Sequence, residues 1–99
     1  MPVVARFYRF AAIADPEAVR DAARAVLMDA DVRGTLLIAE EGINGTLAGS
    51  EMALGAALAF LRSLPGCAGL RFEESEAEAL PFARLKVLVK PEIVTMGTP

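Results

Sequence analysis

The sequence predicts an α+β sandwich: an antiparallel sheet of four or five strands with two helices on one face. Three observations predict it. The hydrophobic periodicity changes along the chain in the order strand, helix, strand, strand, helix, strand. Each helical segment is apolar along one side only, so each needs a sheet face to cover it. The 99 residues are 55% hydrophobic and 23% charged, which is enough apolar material for one core and far from the composition of disordered chains.

The first strand is expected over 3–10, where Val3, Val4, Phe7, Tyr8 and Phe10 give β-branched and aromatic character interrupted by Arg6 and Arg9. Asp15 and Pro16 then start a helix, Asp15 as N-cap and Pro16 at the first helical position, running to about Ala30. Val19, Ala22, Ala23, Val26 and Leu27 form its apolar face at helical spacing. Two strands over 34–39 and 43–49, joined by Glu40, Glu41 and Gly42, read as a hairpin. Ser50 caps a second helix with Leu54, Ala57, Leu58 and Leu61 on its inner face, and Pro65-Gly66 stops it. A strand over 70–75 follows, overlapping a Glu-rich stretch over 73–80 that reads as an exposed connection. The strongest strand signal is 84–90, with Leu85, Val87 and Val89 on one side and Arg84, Lys86 and Lys90 on the other. Pro91 closes it, and the segment 92–99 is too short for an element of its own. This order is the split βαβ of ferredoxin-like and acylphosphatase-like folds.

Composition excludes several functions. There is no His, which removes the usual acid/base group near neutral pH and the commonest metal ligand. The single Cys67 has no intramolecular disulfide partner and no zinc-site companion, and a reducing cytoplasm is the expected location. No apolar run approaches the roughly 20 residues of a membrane span. A net charge of −3 argues against nucleic acid wrapping the whole surface but permits one basic face.

Strand parity locates such a face. With Ala5, Phe7, Leu85, Val87 and Val89 under the helices, the open side of the sheet carries Arg6, Tyr8, Arg84, Lys86 and Lys90, with Leu88 among them. Such a surface suits phosphates on the cations and a stacked base on the tyrosine, and the two strands are expected to be neighbours. Alternating charge also simply solvates many antiparallel sheets. The run from Glu40 to Thr46 can grip a substrate or a neighbouring domain, or be a tight turn that needs its glycines. Cys67 reads as a small core or turn residue, with no basic neighbour before Arg71, and the methionines and Phe60 as packing residues. Glu73, Glu74, Glu76 and Glu78 lack the second cluster a metal site needs, so no metal is expected.

The strings GTLLIAEEGINGTLAG over 34–49, PF and RLKV within 81–87, and EIVTMG over 92–97 resemble, in this order and spacing, the N-terminal region of the rhodanese-domain tRNA uridine hydroxylases. The resemblance implies an acylphosphatase-like domain over 1–91, a linker beginning over 92–99, and a rhodanese-like domain beyond it that carries the family's reactive Cys. It implies oxygen-dependent conversion of the wobble uridine of tRNA to 5-hydroxyuridine. No catalytic residue falls on this stretch, and Cys67 does not inherit that role. Glu41, Gly42, Asn44, Gly45 and Thr46 match the motif and are carried over as a substrate or interdomain surface. The partners implied are tRNA and the rhodanese-like domain, with no cofactor, metal or membrane. Two alternatives stand beside this: a docking module that touches no RNA, with Asn44, Ile93, Val94 and Met96 covered, and a free-standing acylphosphatase. The second is disfavoured because the loop over 10–15 has neither the glycines nor the Arg of a phosphate cradle.

Overall fold

The computed structural model describes residues 2–79 and 81–91. Its elements are β1 (Val3–Phe10), α1 (Pro16–Asp29), β2 (Arg33–Ala39), β3 (Gly42–Gly49), α2 (Glu51–Arg62), β4 (Phe72–Glu76) and β5 (Leu85–Val89). The strands form one sheet in the order β4-β1-β3-β2-β5. All neighbours are antiparallel except β2 and β5, so the expected four or five strands are five and the sheet is mixed. Each antiparallel pair at the centre is held in register by the alternation itself, since a one-residue slip would turn Phe7 or Leu47 out of the core.

Local chemistry fixes the helix ends. The Asp15 carboxylate accepts the Ala18 N–H at 3.2 Å and the Ser50 hydroxyl oxygen accepts the Ala53 N–H at 3.0 Å. At the far end of α1, Asp31 takes φ +61°, the Asp31 N–H donates to Met28 O at 3.1 Å, and the Val32 N–H donates to Leu27 O at 3.0 Å. This closing pattern normally recruits Gly; here Asp31 fills the left-handed position, and buried Val32 and Leu27 supply the apolar contact that accompanies it. The turn delivers the chain directly into β2.

The core lies between the sheet and the helices. Ala5, Phe7, Leu36, Ile38, Ile43, Leu47 and Val87 meet Ala23 and Leu27 of α1 and Leu54, Ala57, Leu58 and Leu61 of α2. Ile13, Val32, Cys67 and Leu70 close its rim from loops, and no polar side chain is buried among the described residues. Ala22, expected inside, is exposed, because the stripe facing the sheet is narrower than the apolar run. Met28 and Met52 are also on the surface, at 64% and 86% exposure, and lie outside the core cluster.

Two expectations about the last strands need correction. The strand that returns from α2 to lie beside β1 is Phe72–Glu76, which includes much of the stretch read as a connection. It sits at the sheet edge, where only one neighbour and little burial are required, so Phe72 alone packs against the core and the carboxylates stay in water. The strand around Lys86 is therefore not a neighbour of β1. It lies parallel to β2 at the opposite edge, its ladder extended by the Gly34 N–H to Arg84 O and the Lys90 N–H to Ile38 O. The tail over 92–99, including Ile93, Val94 and Met96, lies outside the described residues.

Candidate nucleic-acid interface

The helices cover one side of the sheet, and the residues of opposite parity face outward. The register aligns them in rows. One row runs Glu73, Arg6, Thr46, Thr35, Lys86; the next runs Tyr8, Asn44, Leu37, Leu88. Phe10 lies beside Gly42 and Ala39 in a third row. Tyr8 is 64% exposed and Phe10 57%, with their rings edge to face at 6.0 Å between centroids. Two adjacent aromatics held this far out of a core leave π-faces available for stacking.

Of the five residues expected on the basic face, Arg6, Tyr8 and Lys86 stand in the outward rows, and Arg84 and Lys90 flank β5, Lys90 beside a cleft that it shares with Asp15, Pro16, Glu17 and Glu40. Arg6 and Tyr8 are on β1 and Lys86 is on β5; all five are exposed. They do not form one patch. With β3 and β2 between them, the two groups stand three strand spacings apart, about 14 Å. The middle of the face is filled by Thr46, Thr35, Asn44 and Leu37, all half-buried. Cations on β1 and at the β5 edge, with hydroxyls, an amide and an apolar side chain between them and the acidic β4 strand outside β1, make a strip, not a spot.

The hairpin motif has a double character. Gly42 sits at φ +150°, and a Cβ there would stand 2.0 Å from Arg9 O. At Gly45 a Cβ would come within 2.9 Å of the Phe7 ring and 2.8 Å of Thr35 O. Both glycines are thus accounted for by close packing of β3 against its neighbours. Asn44 and Thr46 point to the open face, and Glu41 is exposed at the turn. The Glu41 and Glu40 carbonyls accept the Ala11 and Ile13 N–H groups, each at 2.9 Å. The loop after β1 therefore spends those two amides on the hairpin, which removes them as donors for an acyl phosphate.

Two arginines outside the expected set complete the β1 edge. Pairing of β1 with β4 ends at Phe7 and Phe72, while pairing with β3 continues to Phe10 and Gly42. The uncovered edge opens a cleft of about 600 Å³ lined by Arg6, Tyr8, Arg9, Gly69, Arg71 and Glu73, with Phe7 and Phe72 at its back. Arg71 was not recoverable from periodicity, because its place depends on which strand β4 joins and in which register. Cys67 is fully buried; burial raises the thiol's pKa above its ordinary value and the nearby Arg9 charge offsets this in part. A protonated, inaccessible thiol is no nucleophile. Among the described residues there is no cluster of three or more metal-ligating side chains and no helix long and apolar enough to cross a membrane.

Comparison with known proteins agrees with this architecture. The BLUF protein BlrB in its dark state superposes with a TM-score of 0.73 at 17% identity, covering 89% of this chain and 72% of that one. An acylphosphatase from Coxiella burnetii gives 0.62 at 11% identity, covering 87% and 90%. At these identities the likeness is one of fold. In sequence, the chain is 52% identical over 99 residues to a tRNA uridine(34) hydroxylase of Jannaschia sp. and 50% identical over 96 residues to that of Caulobacter vibrioides. It covers 100% and 97% of itself but only 33% and 30% of those relatives, so it spans about a third of their length. The family model described as the UPF0176 acylphosphatase-like domain matches residues 2–93, and the chain belongs to that family.

Proposed function

We propose that this domain supplies a tRNA-contacting surface to a longer cytoplasmic enzyme that hydroxylates the wobble uridine of tRNA to 5-hydroxyuridine with oxygen. The observation that carries the reading is the uncovered sheet face, with Tyr8 and Phe10 held out of the core beside Arg6 on β1 and Lys86 on the far edge strand. Single-stranded RNA is recognised by this combination, bases stacking on aromatics of a sheet while phosphates meet Lys and Arg. The relatives' names, tRNA uridine(34) hydroxylase, support the choice of RNA and of reaction.

The chemistry belongs to the rest of such an enzyme. This domain has no His and its one thiol is buried and protonated, so its part is to bind and orient. A rhodanese-like domain carrying a reactive Cys would act on the uridine held nearby. The test is charge reversal in the full-length protein: Arg84→Glu, Lys86→Glu and Lys90→Glu together are expected to weaken tRNA binding at least tenfold and flatten its salt dependence. Unchanged affinity and slope would remove the β5 edge from the interface.

A second reading is favoured by one feature. Phe10 and Leu88, 57% and 38% exposed, give the end of the face near Lys90 an apolar character suited to docking the remainder of the chain. In that case amides of β1 and β5 are protected from hydrogen exchange in the full-length protein relative to this domain by itself, and tRNA adds no further protection there.

A further inference from the structure

We infer that the cleft between Tyr8 and the turn preceding β4 is a seat for one nucleotide of single-stranded RNA, its phosphodiester held by Arg71 and Arg9 and its base on Tyr8. The inference rests on the RNA reading above and specifies where on the face the contact is made. Three arginines, Arg6, Arg9 and Arg71, line it with one carboxylate, Glu73; Arg6 faces the open side with Tyr8, while Arg9 shares the parity of Phe7 and enters from the helix side of the uncovered β1 edge. Among the described residues none of the three forms an ion pair. A volume of about 600 Å³ is within the range of small-ligand sites.

The walls are built rather than incidental. The Arg9 Nε–H donates to Gly66 O at 3.0 Å, and the guanidinium lies against the open side of Gly69, where a Cβ would stand 3.4 Å from both terminal nitrogens. That fixes the plane of the fork and leaves its Nη donors without a hydrogen-bond acceptor among the described residues. The two residues flanking Arg71 are pinned from the other side by one residue, Arg62. Its Nε and Nη2 donate to Leu70 O at 3.2 and 2.9 Å, and its guanidinium stands 5.2 Å from the centroid of the Phe72 ring. The turn itself is closed by Cys67 N–H to Leu64 O at 2.9 Å and Leu70 N–H to Cys67 O at 3.0 Å.

Charge and shape together select the ligand. A fixed guanidinium presents two parallel donors at the spacing of phosphate oxygens. Tyr8 stands on a central strand of the sheet, where bases stack in sheet-type readers of single-stranded RNA, and the missing β4 pairing leaves room beside it. An acidic peptide would use the arginines but has no need of the exposed ring.

The experiment is titration of the full-length protein with unfractionated bacterial tRNA over a range of salt concentrations. Arg71→Glu should weaken binding about tenfold or more and lower the slope of log affinity against log salt by about 1. Tyr8→Ala should weaken it about tenfold with the slope unchanged, and Tyr8→Phe should restore it, since stacking needs the ring and not the hydroxyl. Both positions are exposed, and an unchanged melting temperature verifies folding. If Arg71→Glu and Tyr8→Ala each stay within twofold of the parent while reversal of Arg84 and Lys86 weakens binding, the cleft assignment is wrong and the RNA face stands. If all of these variants bind tRNA like the parent, both readings fall. Loss of hydrogen-exchange protection in the cleft on Arg71→Glu, with tRNA affinity intact, would assign the cleft to a protein contact and likewise overturn the inference.

Discussion

Gly42 shows how a single residue in a functional-looking motif can be explained by backbone geometry. Its φ of +150° and the 2.0 Å approach of Arg9 O to a built Cβ leave no room for a side chain. Gly42→Ala should therefore destabilise the domain by about 2 kcal/mol or more, because the hairpin must move away from β1. Chemical denaturation measures this, and a change within 0.5 kcal/mol would contradict the packing account. Cys67 makes a second residue-scale test. Its thiol is buried with a raised pKa, so the folded state favours the protonated form. The associated stability is present below the ordinary thiol pKa and is lost as pH rises through the folded value, while the unfolded chain ionises earlier. Alkylation at mildly alkaline pH should consequently be at least a hundredfold slower in the native protein than in denaturant. Comparable rates would mean that Cys67 is reachable in the fold.

The elements differ in how plainly their sequences announce them. In α2 the spacing of Leu54, Ala57, Leu58 and Leu61 identifies the buried face, and the structure buries all four. Leu61→Ala should cost about 2–5 kcal/mol as a cavity-forming change, measured by the same unfolding experiment. By contrast, Glu74→Ala on exposed β4 should lie within about 0.5 kcal/mol of the parent. That contrast explains what was legible. Central strands and helices bury a face and so carry period 2 or 3.6, whereas an edge strand such as Phe72–Glu76 buries one residue and carries no pattern. The sequence offers a strand over 70–75 but not its pairing with β1, a place it gives instead to 84–90. The open-face parity of Arg6, Tyr8 and Lys86 was readable because parity is local. Their separation across the sheet was not, because nothing local in either strand says that 72–76, and not 85–89, pairs with β1. Arg9 and Arg71 went unrecognised for the same reason, since only the β1–β4 register brings them together.

At the scale of the whole molecule, a chain of net charge −3 can still offer RNA one face, because charge is distributed by layer and edge. The helices hide one side of the sheet; on the other, aromatics and cations stand in ordered rows around a hydroxyl and amide centre. The domain spans about a third of the length of its tRNA uridine(34) hydroxylase relatives, and under the proposed reading it contributes RNA contacts to the longer protein. The most direct test of this claim is photo-crosslinking of the full-length protein to tRNA carrying 4-thiouridine in the anticodon loop, with crosslinked peptides mapped by mass spectrometry. The account predicts crosslinks at β1, centred on Tyr8 and Phe10; efficient crosslinking confined to the rest of the protein, with none in residues 2–91, would contradict it.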